Sequence, residues 1–177
     1  RLDAVAKDVR HRIAPFVYGE GDADLAALLL EKCRAEKMKI AVAESCTGGL
    51  LGARLTTIPG SSDVFLGGVI AYANEVKVRE LGVAPSELNA HGAVSEPVVR
   101  SMASGVRKKY AADVGLSISG VAGPGGGTPE KPVGLVWIAV AVGDRVEAKS
   151  FQSVGDRGEI RYRAAQAAME LARRMLG

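Results

Sequence analysis

At 177 residues with 47% apolar residues, the chain has enough material for one domain with a full core, and its 24% charged residues are an ordinary share. The formal charge of +3 and pI near 9.0 are only mildly basic, and aromatics make up 5%. The dense basic groups, Arg107-Lys108-Lys109 and Arg173-Arg174, fall on predicted helices and read as solvated faces, so a nucleic-acid partner is excluded.

Other absences bear on compartment and cofactor. Cys33 and Cys46 make neither a disulfide framework nor a CxxC pair. No apolar run is long enough for a bilayer, and no signal-peptide pattern opens the chain. No His, Cys or Asp cluster has metal-ligand spacing. The expectation is a cytoplasmic protein with no membrane association, no metal and no cofactor.

In chain order, Leu2, Val5, Val9 and Ile13 recur at helical spacing. The segment Tyr18-Gly19-Glu20-Gly21-Asp22 breaks that helix, and Asp22 or Asp24 can cap the next, through Leu25, Leu28, Leu29 and Cys33. Met38 to Ala43 is a short apolar run after a lysine-rich turn and predicts a buried strand. Thr47 to Leu55 predicts a helix, and Val64 to Tyr72 a second strand. Asn74 is placed to cap a short helix to Leu81. Ser95-Glu96-Pro97 is a helix start, with the helix running to about Tyr110. Val114 to Ser119 is a third strand, followed by a Gly/Pro loop from Gly120 to Pro132. Val133 to Val142 is the clearest strand, the turn Gly143-Asp144 returns it as a hairpin through Val146 to Ser153, and a last helix begins near Asp156. Strands alternating with helices and ending in a hairpin predict an α/β fold with a mixed sheet and helices on both faces.

Three stretches could carry chemistry. Ala43-Glu44-Ser45-Cys46-Thr47-Gly48-Gly49 joins a buried strand to a helix. Such a turn holds a side chain exposed while helix-start N–H groups point at the same place, as an acyl-transfer nucleophile and its oxyanion require. Gly48 and Gly49 would let a substrate approach the backbone. Spacing alone favours a plainer reading, Ser45 or Thr47 as an N-cap. A serine nucleophile needs a base, and the histidines, His11 and His91, are poorly placed. Lys77, near a helix start where the dipole lowers its pKa, could be one, with Tyr72 close by; an exposed lysine is the alternative. Cys46 is a rival nucleophile or a small buried hydrophobe.

The second stretch runs from Ser117 to Gly127, with five glycines between Gly120 and Gly127. It leads into a strand, so it is no dinucleotide fingerprint. Its N–H groups and the Ser119 hydroxyl could meet a ligand, or it could be a flexible connection. The third is Gly155 to Arg161. Arg157 and Arg161 share a helix face, and arginine at a helix N-terminus is disfavoured unless an anion is near. A phosphate grip and a pair of surface arginines both fit.

Together these stretches resemble the family of the C-terminal domain of the competence-damage-inducible protein CinA, which includes nicotinamide mononucleotide deamidases. The likeness runs from about Asp24 to the C-terminus. It rests on Ala43 to Gly49, on Pro59-Gly60-Ser61-Ser62 through Gly67-Gly68-Val69, Tyr72 and Lys77 to Leu81-Gly82-Val83, on Gly92-Ala93-Val94-Ser95-Glu96, and on Gly123-Pro124-Gly125-Gly126 with Pro132-Val133-Gly134. Ser119 stands where the family usually has threonine.

The resemblance implies a three-layer α/β/α sandwich. It implies hydrolysis of the carboxamide of nicotinamide mononucleotide to nicotinic acid mononucleotide and ammonia. Carried over, Ser45 is the nucleophile, Lys77 the base and Tyr72 an assistant. Thr47, Gly48, Gly49, Ser119, Gly120, Gly123, Gly125, Gly126 and Arg157 would hold the small-molecule nucleotide. A homo-oligomer is also expected. Residues 2–18 resemble the connector that follows a larger nucleotide-processing domain and position 1 is Arg, not Met, so we expect residues 1–20 to lead from an upstream domain and 21–177 to form the amidohydrolase domain. A non-catalytic nucleotide-binding or assembly domain of a two-domain CinA protein is the alternative, and another amide-bearing nucleotide is an alternative substrate.

Overall fold

The computed structural model describes residues 2–13, 17–19 and 21–177. Glu20, in the predicted break, lies outside the described residues. The helices are α1 (Leu2–Ile13), α2 (Leu25–Ala35), α3 (Leu50–Thr56), α4 (Asn74–Leu81), α5 (Pro85–His91), α6 (Glu96–Lys109) and α7 (Arg157–Met175). The strands are β1 (Ile40–Glu44), β2 (Phe65–Ile70), β3 (Val114–Gly120), β4 (Leu135–Val142) and β5 (Arg145–Gln152).

They form one mixed sheet in the order β2-β1-β3-β4-β5, with β1 parallel to both neighbours and β4 and β5 antiparallel. The alternation along each strand explains the two helical layers. Ile40, Val42, Leu116, Ile118, Ile138 and Val140 point to one face, where α2, α3 and α7 cover them. Ala41, Ala43, Ala139 and Ala141 point to the other, where small side chains let α6 lie close. The approach is tight: a Cβ on Gly115 would come within 2.2 Å of the Ala103 carbonyl oxygen. The result is a three-layer α/β/α fold.

This topology places the site. The chain leaves β1 through α3 on one face to reach β2, then crosses by α4, α5 and α6 on the other face to reach β3. The connections therefore diverge at the carboxyl end of β1, and such a divergence opens a crevice in α/β sheets. Ser45 is the first residue beyond that end.

Several boundaries differ from expectation. Asp24 is the residue that caps α2, accepting from the N–H groups of Ala26 and Ala27. α3 starts only at Leu50, because residues 45–49 form a turn. Asn74 is the first residue of α4 and Ala73 its N-cap, without a side-chain bond. Ser95 occupies an N-cap position, but its hydroxyl donates to the Gly92 carbonyl. The short helix α5 has no strong apolar period and is not evident in the sequence. α1 is helical as predicted, yet Leu2, Val5, Val9 and Ile13 all remain exposed. No described helix is long and apolar enough to cross a membrane.

Candidate active site

Glu44 ends β1, and the alternation that buries Ile40 and Val42 beneath α3 also turns Glu44 inward. Its carboxylate accepts three backbone N–H bonds, from Gly49 (3.0 Å), Leu51 (3.0 Å) and Gly52 (2.8 Å). The turn needs two left-handed residues, Gly48 (φ 58°) and Gly49 (φ 99°), which glycine adopts without penalty. The Ser45 N–H is anchored on the Ile118 carbonyl, and Gly48 N–H returns to the Ser45 carbonyl.

Lys77 rises from α4 towards the same point and is buried, 1% exposed. Its Nζ donates to the carbonyls of Ala71 (2.7 Å) and Tyr72 (3.2 Å) and lies 3.2 Å from Ser45 Oγ. Burial pushes its pKa down, and the nearby Cys46 and Glu75 charges oppose this. Burial, rather than the helix dipole the sequence pointed to, is the leading cause. Cys46 is also buried, which pushes its thiol up to about 11 and leaves it a poor nucleophile at neutral pH.

Ser45, Cys46 and Tyr72 line a cleft of about 220 Å³, whose opposite wall is Gly120, Gly123, Gly125, Gly126 and Arg157. Arg157 donates to the Gly123 carbonyl (2.7 Å) and to the Tyr72 hydroxyl (3.2 Å), tying both walls together. It is the first residue of α7, where Asp156 and Glu159 form a reciprocal capping box. A larger cavity, about 550 Å³ between β5 and α7, is lined by Lys149, Ser150, Glu170 and Arg174 among apolar side chains.

The geometry brings together Ser45, Lys77, Tyr72, Arg157 and four glycines of the predicted set. It does not bring the rest. Thr47 is fully buried, and neither it, Gly48 nor Gly49 lines the cleft. The helix-start donors expected to face a ligand are engaged by Glu44 instead. Ser119 is also buried, its hydroxyl donating to the Ala93 carbonyl (2.8 Å), so it braces the β3 end against the segment before α6. Two residues acquire roles the sequence did not give them. Glu44 is one; its signal was an acid on the core-facing side of a buried strand, just before a helix start. Arg161 is the other: it donates to the Thr47 carbonyl (2.6 Å) and so holds the turn that carries Ser45.

The chain matches the family model of the CinA C-terminal domain over residues 22–176. It belongs to that family. The CinA-like protein of Gemmatimonas aurantiaca is 58% identical over 173 residues, covering 98% of this chain and 40% of that protein. The CinA-like protein of Kosmotoga olearia is 45% identical, covering 97% of this chain and 42% of that protein. The chain thus spans about two fifths of the length of these curated relatives. Among solved structures, the CinA superfamily protein of Enterobacter cloacae superposes with a TM-score of 0.84 at 30% identity, covering 91% of this chain and 97% of that one. The CinA superfamily protein of Klebsiella pneumoniae gives 0.83 at 32% identity, covering 86% and 95%. The α/β fold and its mixed five-stranded sheet are therefore those of the family.

Proposed function

We propose that this domain hydrolyses the carboxamide of nicotinamide mononucleotide, with Ser45 as nucleophile and Lys77 as its base. One observation carries the reading: a buried lysine nitrogen 3.2 Å from a serine hydroxyl at the mouth of a cleft. A neutral amine has two hydrogens and one lone pair. With the two hydrogens given to the Ala71 and Tyr72 carbonyls, the lone pair is left for the Ser45 hydroxyl. Burial favours that neutral form.

Ser45 Oγ attacks the amide carbon as Lys77 takes its proton. The oxyanion is assigned to the N–H of Cys46, the residue after the nucleophile, which is engaged neither in the turn nor by Glu44. Collapse of the tetrahedral adduct breaks the C–N bond, and the proton on Lys77 passes to the leaving ammonia. Water then attacks the acyl-serine, yielding nicotinic acid mononucleotide and free Ser45. The phosphate is assigned to Arg157 and the glycine wall beside it, where a guanidinium and close-approach backbone meet. No step calls for a cofactor.

Comparing ammonia release from nicotinamide mononucleotide, nicotinamide riboside and free nicotinamide tests the substrate. The reading expects the mononucleotide to be strongly preferred; equal turnover of the riboside would remove the phosphate from recognition. A second reading rests on α1, whose apolar stripe is uncovered: the domain would serve assembly or nucleotide binding within a longer protein or a homo-oligomer. A folded protein that binds the mononucleotide without releasing ammonia would favour it.

A further inference from the structure

We infer that Glu44 is the positioning residue of the nucleophile turn and that its charge closes the N-terminus of α3 to the substrate's anionic group. The inference rests on Ser45 being the nucleophile. Helix starts expose N–H groups that attract anions, and α3 begins at Leu50, across the turn that follows the nucleophile. Here that place is filled from within. Glu44 is 1% exposed and lies one residue before Ser45, with one carboxylate oxygen on Gly49 and Leu51 and the other on Gly52.

Two consequences follow. First, the turn is held by charged groups at two places: Glu44 holds the N–H groups at its exit, while Arg161 holds the Thr47 carbonyl at its middle. Ser45 enters the turn just before these holds, with its own N–H on the Ile118 carbonyl, so its Oγ is kept at the distance Lys77 requires. Second, a phosphate brought to the α3 start would meet a buried carboxylate and donors already engaged. Phosphate is thereby left to the cleft wall that carries Arg157.

Glutamine at this position keeps the shape but not the chemistry. Its oxygen can retain Gly49 and Leu51, while its NH₂ then faces the Gly52 N–H, donor against donor. The experiment compares wild type with Glu44→Gln and Glu44→Asp. It reads amide hydrogen exchange, kcat and KM for ammonia release from nicotinamide mononucleotide, and the rate at which a fluorophosphonate labels Ser45. In Glu44→Gln we expect faster exchange at Gly49, Leu51 and Gly52 with β1 and β3 unchanged. We expect kcat to fall about 10- to 100-fold with KM within about twofold, and labelling to slow in parallel. Glu44→Asp, which keeps the charge, is expected between the two, and it decides the matter should Glu44→Gln not fold. Wild-type kcat and labelling in the folded variants would overturn the inference, as would a loss confined to KM or faster exchange throughout the sheet. A wild type that is labelled at Ser45 but releases no ammonia would refute the substrate alone, and labelling would still judge Glu44. A wild type with unreactive Ser45 would remove the positioning role together with the nucleophile.

Discussion

Lys77 Nζ and Ser45 Oγ lie 3.2 Å apart although 32 residues separate them in the chain. Two different elements must be in register for this to occur: the turn after β1, and the first turn of α4 after β2. The pairing of β1 with β2 sets that register, and the Ala71 N–H bonded to the Glu44 carbonyl (2.7 Å) continues it past the strand ends. Among the described residues the lysine has no carboxylate within hydrogen-bonding distance to hold its charge; its partners are two carbonyls and a hydroxyl.

Activity should therefore rise with pH as Lys77 loses its proton. Its pKa in the folded protein is lowered, so the inflection in kcat/KM falls below the ordinary lysine value. Stability carries the same signature. Between the lowered folded pKa and the ordinary value, the unfolded chain binds the extra proton, so unfolding free energy increases with pH across that window. Denaturant unfolding of wild type and Lys77→Met through that range checks it: the pH-dependent rise should be present in the first and absent in the second.

Arg157→Ala should raise KM for nicotinamide mononucleotide about 10- to 100-fold, the loss of one charge-assisted contact of about 1.5–3 kcal/mol. KM for nicotinamide riboside, which lacks the phosphate, should change less than about threefold. Steady-state ammonia release on both substrates separates a phosphate contact from a loosening of the Tyr72 and Gly123 walls that Arg157 bridges.

Ser119→Ala should cost about 1–3 kcal/mol of stability, because it leaves the Ala93 carbonyl without its buried donor. KM should stay within about twofold. Chemical denaturation together with steady-state kinetics distinguishes this bracing role from a ligand contact, which would move KM and leave stability nearly intact.

Gly105→Ala should destabilise by about 1–3 kcal/mol through overpacking. A Cβ there would come within 1.9 Å of the Leu81 carbonyl oxygen, where α6 crosses the end of α4. Since α4 carries Lys77, thermal unfolding is expected to shift first, with turnover by the folded fraction reduced only modestly.

Much of this was legible in the sequence because the strands are short apolar runs with clear ends. The alternation of large residues with alanine in β1 and β4 even encodes which face each helical layer covers. Ser45 was legible as a residue at a strand-to-helix turn, and Arg157 as a cation placed against a helix start. What remained hidden depends on where a backbone group sits in space. Thr47, Gly48 and Gly49 are in the right motif, but the donors behind them belong to Glu44, and only the three-dimensional turn reveals that competition. Ser119 has a suitable hydroxyl, yet its partner is 26 residues away in a loop with no periodicity to predict it. The sequence offers Lys77 as a candidate base near a helix start, whereas its burial, the leading influence on its pKa, depends on α4 setting it against the Ser45 turn and the Ala71 and Tyr72 carbonyls.

The most direct test of the account is ammonia release from nicotinamide mononucleotide by wild type, Ser45→Ala and Lys77→Met, with each protein shown to be folded. The account predicts turnover by the wild type and a loss of about 10³-fold or more in both variants, as for paired groups that act as a unit. Turnover persisting in Ser45→Ala would contradict it and move the nucleophile elsewhere, with Cys46 the neighbouring alternative in the cleft.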